Sequence, residues 1–142
     1  MPADVFFDTS VLVYMITAED SRAAIAEGLL FAGGLVSAQV LNEFATVATR
    51  KYKMNWAETE AALVRIRFLC GPILPVTLRT HLEGVEVAKR YGYRIYDSLL
   101  IASAVAANCT TLYSEDMQDG QRIGELTIRN PFRGELSDYR ID

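Results

Sequence analysis

Short apolar runs alternate with longer amphipathic segments along this chain. The apolar runs predict buried strands at 4–7, 35–36, 73–76, 110–113 and 126–128. The longer segments carry apolar residues at helical spacing and predict helices at 11–16, 21–30, 38–48, 56–70 and 96–107, and one that begins at Thr77 or Thr80 and ends at about Arg90. Because buried strands that alternate with helices usually pair in parallel, the pattern predicts an α/β fold with helices on both faces of the sheet.

The predicted helix ends coincide with residues that commonly begin or end helices. Ser37 and Asn55 precede two of the helices and can accept hydrogen bonds from first-turn N–H groups. Gly33-Gly34 and Gly92 follow two others and can end them. The helix at 96–107 is apolar on nearly every face, which predicts that it is buried.

The composition is that of one globular domain. The chain has 142 residues, 51% of them hydrophobic, and neither a repeat nor a linker divides it. We therefore expect a single domain over 1–142, with its core at about 4–132 and a polar, peripheral tail at 133–142. Neither a signal peptide nor a membrane-spanning stretch is evident, which predicts a cytoplasmic protein with no membrane partner. Cys70 and Cys109 lie in apolar surroundings and are expected to be reduced.

The net charge narrows the possible functions. The formal net charge is −4, which does not fit a protein that binds DNA mainly through a large excess of positive charge. A nuclease is still possible, because a cluster of metal-binding carboxylates would itself make the total more negative.

Several acidic residues stand where a parallel α/β sheet binds ligands, beyond the carboxyl ends of its strands. Asp8 ends the first strand, and Glu115 and Asp116 follow the strand at 110–113, with Asp119 one turn further on. Two more acids occupy positions where core residues are expected. Glu43 lies between Leu41 and Phe44, and Asp97 opens the most apolar helix.

These acids predict a site for a divalent cation. Carboxylates that converge beside a buried helix face repel one another, and a hard cation offsets that repulsion. Mg²⁺ suits such a site because it prefers oxygen ligands and retains waters. Asp8 and Asp97 could instead be simple helix N-caps. The joint occurrence of these two acids with Glu43 and Asp116 favours the metal site.

Other kinds of acidic or catalytic site fit less well. A phospho-aspartyl hydrolase needs a second Asp two residues after its nucleophile, where Ser10 stands. A response-regulator receiver needs a late Lys, but the last Lys is Lys89. The chain has no phosphate-binding loop and no dinucleotide fingerprint. Its one histidine, His81, lies near a helix start and is expected to be a surface or capping residue.

Four segments resemble, in order and spacing, the acidic blocks of PIN-domain nucleases. They are Phe7-Asp8-Thr9-Ser10-Val11-Leu12, Asn42-Glu43-Phe44, Tyr96-Asp97-Ser98-Leu99-Leu100-Ile101-Ala102 and Leu112-Tyr113-Ser114-Glu115-Asp116-Met117. The resemblance covers about residues 4–132, and a single-domain chain of this length is similar to VapC-type toxins of type II toxin–antitoxin pairs. It implies a PIN-like three-layer fold with a five-stranded, mostly parallel sheet.

The resemblance also implies an activity and the residues that carry it. It implies an endoribonuclease that depends on Mg²⁺ or Mn²⁺ and hydrolyses RNA with a metal-activated water. Asp8, Glu43, Asp97 and Asp116 would form the acidic quartet, with Asp8, Asp97 and Asp116 as metal ligands. Ser114 would steady the site, and Asp119 is a possible substitute for Asp116. The implied partners are an RNA substrate, a cognate antitoxin and a second copy in a homodimer.

Two segments combine basic and aromatic residues, which suits phosphate contact and base stacking. They span 50–53 and 89–96, and the second leads directly into Asp97. Arg90 and Arg94 are the predicted RNA contacts, although cations at a helix C-terminus are also favoured without RNA.

Two alternatives to the toxin remain open at this point. One is a PIN nuclease that processes RNA without an antitoxin, and the other is an inactive PIN scaffold that only binds a partner. A small overlapping upstream reading frame would favour the toxin, and a metal-dependent cleavage assay would separate an enzyme from a scaffold.

Overall fold

The computed structural model describes residues 4–17 and 21–133. It contains, in chain order, β1 (Val5–Phe7), α1 (Thr9–Leu12), a short 3-10 helix (Val13–Met15), α2 (Ser21–Ala32), α3 (Ala38–Arg50), α4 (Trp56–Leu69), α5 (Leu78–Tyr91), α6 (Ile95–Ala106), β2 (Thr111–Tyr113), β3 (Arg122–Ile123) and β4 (Leu126–Arg129). The predicted α/β class is confirmed. All of the predicted tail except Arg133 lies outside the described residues.

The sheet places the ends of β1 and β2 side by side. Its strand order is β1-β2-β4-β3, with β1 and β4 each parallel to β2 and β3 antiparallel to β4. Phe7 pairs with Tyr113 in the register of β1 and β2. The next residue, Asp8, continues this pairing, because its N–H donates to the carbonyl of Tyr113 at 3.0 Å. The residues that follow β1 and β2 therefore meet at one edge of the sheet.

The strand count differs from the implied five, because two predicted strands contribute only isolated bridges. Leu35 pairs with Phe6, and Leu74 pairs with Ser37, both in parallel. Pro75 follows Leu74 and has no N–H to continue the ladder. These bridges extend a regular sheet of four strands.

The structure adds one strand that the sequence pattern did not predict. This strand, β3, is only two residues long and turns into β4 through Gly124, whose φ is 61°. Two residues are too few to show the alternation by which strands are predicted.

The core covers both faces of the sheet. Phe6 and Phe7 are consecutive strand residues, so their side chains point to opposite faces, and both are fully buried. The segment Ser98–Ala104 of α6 is buried at every position, as its apolar sequence predicts. Helix α5 packs on α6 at Gly84, where an added Cβ would lie 2.5 Å from Cδ2 of Leu99.

Most helix ends follow the local signals. Asn55 accepts a hydrogen bond from the N–H of Glu58 at 2.8 Å, and the Glu58 side chain accepts one from the N–H of Asn55 at 3.0 Å. Gly92 ends α5 in the left-handed conformation, with a φ of 79°. Ser37 occupies the N-cap position of α3, but its side chain makes no capping hydrogen bond.

Two further expectations concern the thiols and the membrane. Cys70 and Cys109 are buried free thiols, as predicted. Across residues 4–17 and 21–133, no helix is both long and apolar enough to cross a bilayer.

Candidate active site

A cleft of about 1000 Å³ opens at the edge where β1 and β2 end. Its lining includes all four acids of the expected quartet: Asp8, Glu43, Asp97 and Asp116. They come from the β1–α1 junction, the middle of α3, the first turn of α6 and the segment after β2. Residues far apart in sequence therefore meet in one cleft.

Asp8 is held by hydroxyl groups rather than acting as a helix cap. It occupies the N-cap position of α1, but its side chain makes no capping hydrogen bond. Instead, the hydroxyls of Ser10 and Ser114 each donate to its Oδ2 at 2.8 Å. Within the part of the chain that the structure describes, both hydrogen bonds to this carboxylate end at Oδ2. Asp8 Oδ1 is therefore available to a ligand.

The environment of Asp8 makes its negative charge costly. The residue is only 5% exposed, and burial raises its pKa to about 6. The hydroxyls of Ser114 and Ser10 oppose this rise in pKa, and the negative charges of Asp97 and Asp116 add to it. A charge that is buried and repelled in this way would be stabilised by a bound cation.

Glu43 lies across the cleft on α3. The Thr9 hydroxyl donates to its Oε1 at 3.0 Å, which joins α3 to the segment after Asp8. Burial raises the pKa of Glu43, and the negative charge of Asp97 acts in the same direction. Hydrogen bonds from Thr9 and Gln39 and the positive charge of Arg94 lower this pKa.

Asp97 and Asp116 complete the acidic surface. Asp97 lies in the first turn of α6, where the helix dipole favours a negative charge, and its Oδ2 is 3.4 Å from Arg94. Asp116 lies at the rim, and partial burial raises its pKa, together with the negative charges of Glu115 and Asp97. The positive charges of Arg94 and Lys51, which also line the cleft, lower the pKa of Asp116.

Ser114 joins Asp8 to the segment that carries Asp116. The residue is fully buried, and while its hydroxyl donates to Asp8 it accepts from the N–H groups of Asp116 and Met117 at 3.1 and 3.2 Å. Ser10 acts similarly, because its Oγ accepts from the N–H of Glu115 at 2.9 Å. The two serines thus fix Asp8 relative to the segment that follows β2.

A fifth acid, Glu115, lines the same cleft but is paired with Tyr14 and Arg22. The Tyr14 hydroxyl donates to its Oε1 at 2.7 Å, and Arg22 Nη1 lies 3.3 Å from its Oε2. The Tyr14 ring contacts Phe132 at a centroid distance of 4.8 Å. Glu115 therefore ties the 3-10 helix and α2 to the sheet edge.

Two of the predicted site residues lie away from the cleft. Asp119 does not line it, and its Oδ1 accepts from the N–H of Asn130 at 2.8 Å. That position does not support Asp119 as a substitute for Asp116. Arg90 also lies outside the cleft, with its guanidinium 5.4 Å from the centroid of the Tyr91 ring, whereas Arg94 lines the cleft.

Sequence reasoning gave no role in the site to two residues that the structure places there, and it included Lys51 only within the basic segment at 50–53. Thr9 and Ser10 hold two of the acids, and Lys51 lines the cleft from the end of α3. The Asp-Thr-Ser order was visible in the sequence as a possible helix start. Only the fold shows that the two hydroxyls face carboxylates.

The residues fit a hydrated divalent cation better than a tightly enclosed one. In the described ranges, no group of three acidic, histidine or cysteine side chains forms a preformed metal-binding site. The free Oδ1 of Asp8 and the mutual repulsion of Asp8, Asp97 and Asp116 nevertheless provide oxygen ligands and unbalanced negative charge. Mg²⁺ and similar hard ions retain several waters and bind through one or two carboxylates, which suits this spacing.

Comparison with families of known proteins matches residues 5–122 to the PIN domain. The chain belongs to the PIN-domain family. The match spans the segments that carry all four acids of the cleft, and the fold that the resemblance implied is confirmed. A search of curated proteins found no match.

Solved structures show the same fold for this PIN domain. It is similar to a toxin–antitoxin complex from Klebsiella pneumoniae, with a TM-score of 0.68, 18% identity and coverage of 90% of this chain and 98% of that one. It is also similar to VapC20 of Mycobacterium tuberculosis, described as a sarcin–ricin loop cleaving toxin, with a TM-score of 0.62, 21% identity and coverage of 76% and 86%.

A third similar structure is VapBC2 from Rickettsia felis, bound to a DNA fragment from the promoter of its components. Its TM-score is 0.61 and its identity 22%, with coverage of 89% of this chain and 97% of that chain. At these identities, the likeness to each of the three structures establishes the fold alone.

Proposed function

We propose that this PIN domain is a metal-dependent endoribonuclease and the toxin of a type II toxin–antitoxin pair. The observation that carries the nuclease activity is the convergence of Asp8, Glu43, Asp97 and Asp116 in one cleft, with the Asp8 carboxylate buried and its pKa raised to about 6. Such a site is electrostatically incomplete without a cation.

Asp8, Asp97 and Asp116 would hold Mg²⁺ or Mn²⁺, which when bound supplies an activated water and offsets negative charge at the scissile phosphate. Ser10 and Ser114 keep Oδ2 of Asp8 occupied, which leaves Oδ1 to bind the cation. The Glu43 carboxylate positions the attacking water and accepts its proton, a role that its raised pKa favours.

Cations at the rim suit an RNA substrate. Arg94 and Lys51 line the cleft, so each can contact a phosphate as the strand approaches. Tyr96, also in the lining, is 61% exposed and offers a ring on which a base can stack. Arg90 lies outside the cleft and has no such role in this proposal.

The toxin assignment rests on the kinds of protein that share the fold, which include a toxin and two toxin–antitoxin assemblies. We propose that the partner is an antitoxin that places an Arg against Asp8 and Asp97. A guanidinium can bind a carboxylate through two hydrogen bonds and would displace the cation. Function as a homodimer is part of the same proposal.

Competition between the cation and the antitoxin tests that contact. High Mg²⁺ should weaken antitoxin binding to the wild type more than to Asp8→Asn. Equal affinities that do not depend on metal would place the antitoxin elsewhere on the surface.

A cleavage assay with a matched control tests the nuclease activity. The purified wild type, Asp8→Asn and Asp119→Asn are each incubated with RNA in Mg²⁺, Mn²⁺ or EDTA, and the cleavage ends are mapped. Asp8→Asn should lose at least about 100-fold in rate, the scale reported for losing one electrostatic group at a reacting centre. Asp119→Asn makes the same chemical change outside the cleft and should remain active.

Three outcomes would contradict the proposed nuclease activity. Full activity of Asp8→Asn, or wild-type cleavage that EDTA leaves unchanged, would remove the cation from the mechanism. Absence of cleavage by the wild type under all conditions would instead favour the inactive scaffold, and toxicity on expression without its antitoxin would separate a toxin from an RNA-processing nuclease.

A further inference from the structure

A second, smaller groove continues the acidic cleft along α3. Its volume is about 450 Å³, and it is lined by Asn42, Ala45, Thr46, Thr49, Arg50 and Trp56. Asn42 and Thr46 line the acidic cleft as well, so the two depressions are contiguous. Five of the six residues recur at helical spacing along one face of α3.

Trp56 is the only tryptophan of the chain and is 66% exposed. It is the first residue of α4, and the reciprocal hydrogen bonds of Asn55 and Glu58 hold the start of that helix. Among the residues that the structure describes, no hydrogen bond or ring contact engages its side chain. A large aromatic surface is thus exposed to solvent at a position with a well-defined backbone.

Positive charge lies beside this ring. Arg50 lines the smaller groove, and Lys51 lines the adjoining cleft, although the chain as a whole carries a formal charge of −4. Across 4–17 and 21–133, Arg50 makes no ion pair or hydrogen bond through its side chain. An exposed aromatic ring beside cationic side chains is the combination that binds single-stranded nucleic acid, by stacking and phosphate contact.

The length of α3 connects the two sites. Arg50 lies seven residues after Glu43, which corresponds to roughly 10 Å along the helix axis. One RNA strand can therefore run along the surface of α3 from the acids to the smaller groove, which Trp56 also lines.

We propose that the Trp56 groove is a base-binding subsite, in which a single-stranded RNA that also occupies the acidic cleft stacks one base on Trp56 and places a phosphate against Arg50. This inference rests on the proposed nuclease function. The subsite contributes to substrate binding and does not touch the reacting atoms.

The tryptophan provides its own probe for the test. Asp8→Asn, which should not cleave, is titrated with a single-stranded RNA of about eight nucleotides, within the site sizes of single-strand binders. A base that stacks on the ring should quench its fluorescence as the RNA binds. An unchanged spectrum at RNA concentrations that saturate binding in a filter assay would overturn the proposal.

Substitutions test the contribution to affinity. Trp56→Ala should weaken binding of the RNA by about 5- to 150-fold, the range for loss of one stacked base. Trp56→Phe keeps an aromatic face and should recover most of the affinity. Phe68→Ala is the matched control, because Phe68 is also an exposed aromatic residue of α4 but lines neither groove. Equal losses in Trp56→Ala and Phe68→Ala would refute a specific subsite.

Steady-state cleavage and salt dependence add independent measurements. With otherwise wild-type protein, Trp56→Ala should raise KM and leave kcat unchanged, because only binding is affected. Arg50→Gln should reduce the slope of log affinity against log salt by about 0.7, the value for one contact to a single strand. A fall in kcat at unchanged KM would contradict a binding role.

The two proposals fail in distinguishable ways. If the wild type cleaves RNA in a metal-dependent manner and Trp56→Ala binds and cleaves like it, the subsite is refuted and the nuclease function stands. If the wild type neither binds nor cleaves RNA, both proposals are wrong.

Discussion

Replacing Asp8 by Asn should stabilise the metal-free protein at neutral pH, although it removes the activity. Burial, with the charges of Asp97 and Asp116, raises the pKa of Asp8 from 3.8 to about 6. Between these two values the native state binds more protons than the unfolded state, so stability falls as the pH rises. The ionised carboxylate is therefore a source of instability at neutral pH, and the Asn variant lacks it.

The size of the effect follows from the two pKa values. A rise from 3.8 to about 6 corresponds to about 3 kcal/mol of lost stability at neutral pH. Asn has nearly the same shape and can still accept from Ser10 and Ser114. The stronger bonds that these hydroxyls make to the charged carboxylate are already included in the pKa of about 6. The gain in stability for Asp8→Asn should thus be about 3 kcal/mol at neutral pH, and it should disappear below the unfolded pKa.

Urea unfolding in EDTA over a series of pH values measures this difference directly. The two proteins should have similar stabilities below the unfolded pKa of 3.8. The advantage of the variant should grow as the pH rises from there to about 6 and should stay constant at higher pH. Asp119→Asn is the control, because it makes the same change at an exposed position and should show no such gain. An Asp8→Asn variant that is less stable at neutral pH, or a difference that does not vary with pH, would refute the reasoning.

Three further predictions concern the cation, the helix packing and the serine beside Asp8. Millimolar Mg²⁺ or Mn²⁺ should raise the Tm of the wild type, because a cation at 100 Kd raises the free energy of unfolding by about 2.7 kcal/mol, and EDTA should reverse this. An unchanged melting curve would count against a site formed before RNA binds. In a urea titration, Gly84→Ala should lower the free energy of unfolding by about 1–3 kcal/mol, because its Cβ would overlap Leu99. Gly28→Ala is the control: it has open space around it and should be neutral or stabilising by up to about 1 kcal/mol. Ser114→Ala should reduce kcat for RNA cleavage about tenfold or more, because Asp8 loses a hydrogen bond and two N–H groups lose their acceptor; wild-type kcat in this variant would show that the serine does not position the site.

Local signals predicted the helices well, because a cap acts within one turn of its own residue. Asn55 and Gly92 mark helix ends in the sequence and do so in the structure. The same reasoning was less accurate for Ser37 and Asp8. Both occupy N-cap positions, but neither side chain makes a capping bond, and that of Asp8 accepts from hydroxyl groups instead.

Strand pairing depended on more than local pattern. The segment 73–76 is as apolar as a strand, yet Pro75 restricts its pairing to a single bridge at Leu74. β3 pairs although its two residues carry no strand signal, because the turn at Gly124 brings it against β4. Whether these segments pair depends on the segments that lie beside them in the fold. Those neighbours cannot be identified from the order of apolar and polar residues alone.

The sequence by itself determined the α/β class, most helix ends and the four acids that could form a site, because periodicity, caps and unusual polar positions are local properties. Only the tertiary structure decided which polar groups meet. It brought Ser10 and Ser114 to one oxygen of Asp8 and placed Lys51 in the cleft, while it turned Asp119 towards the backbone of Asn130. Contacts of this kind depend on the register of β1 against β2 and on the packing of α3 and α6, which no single segment encodes.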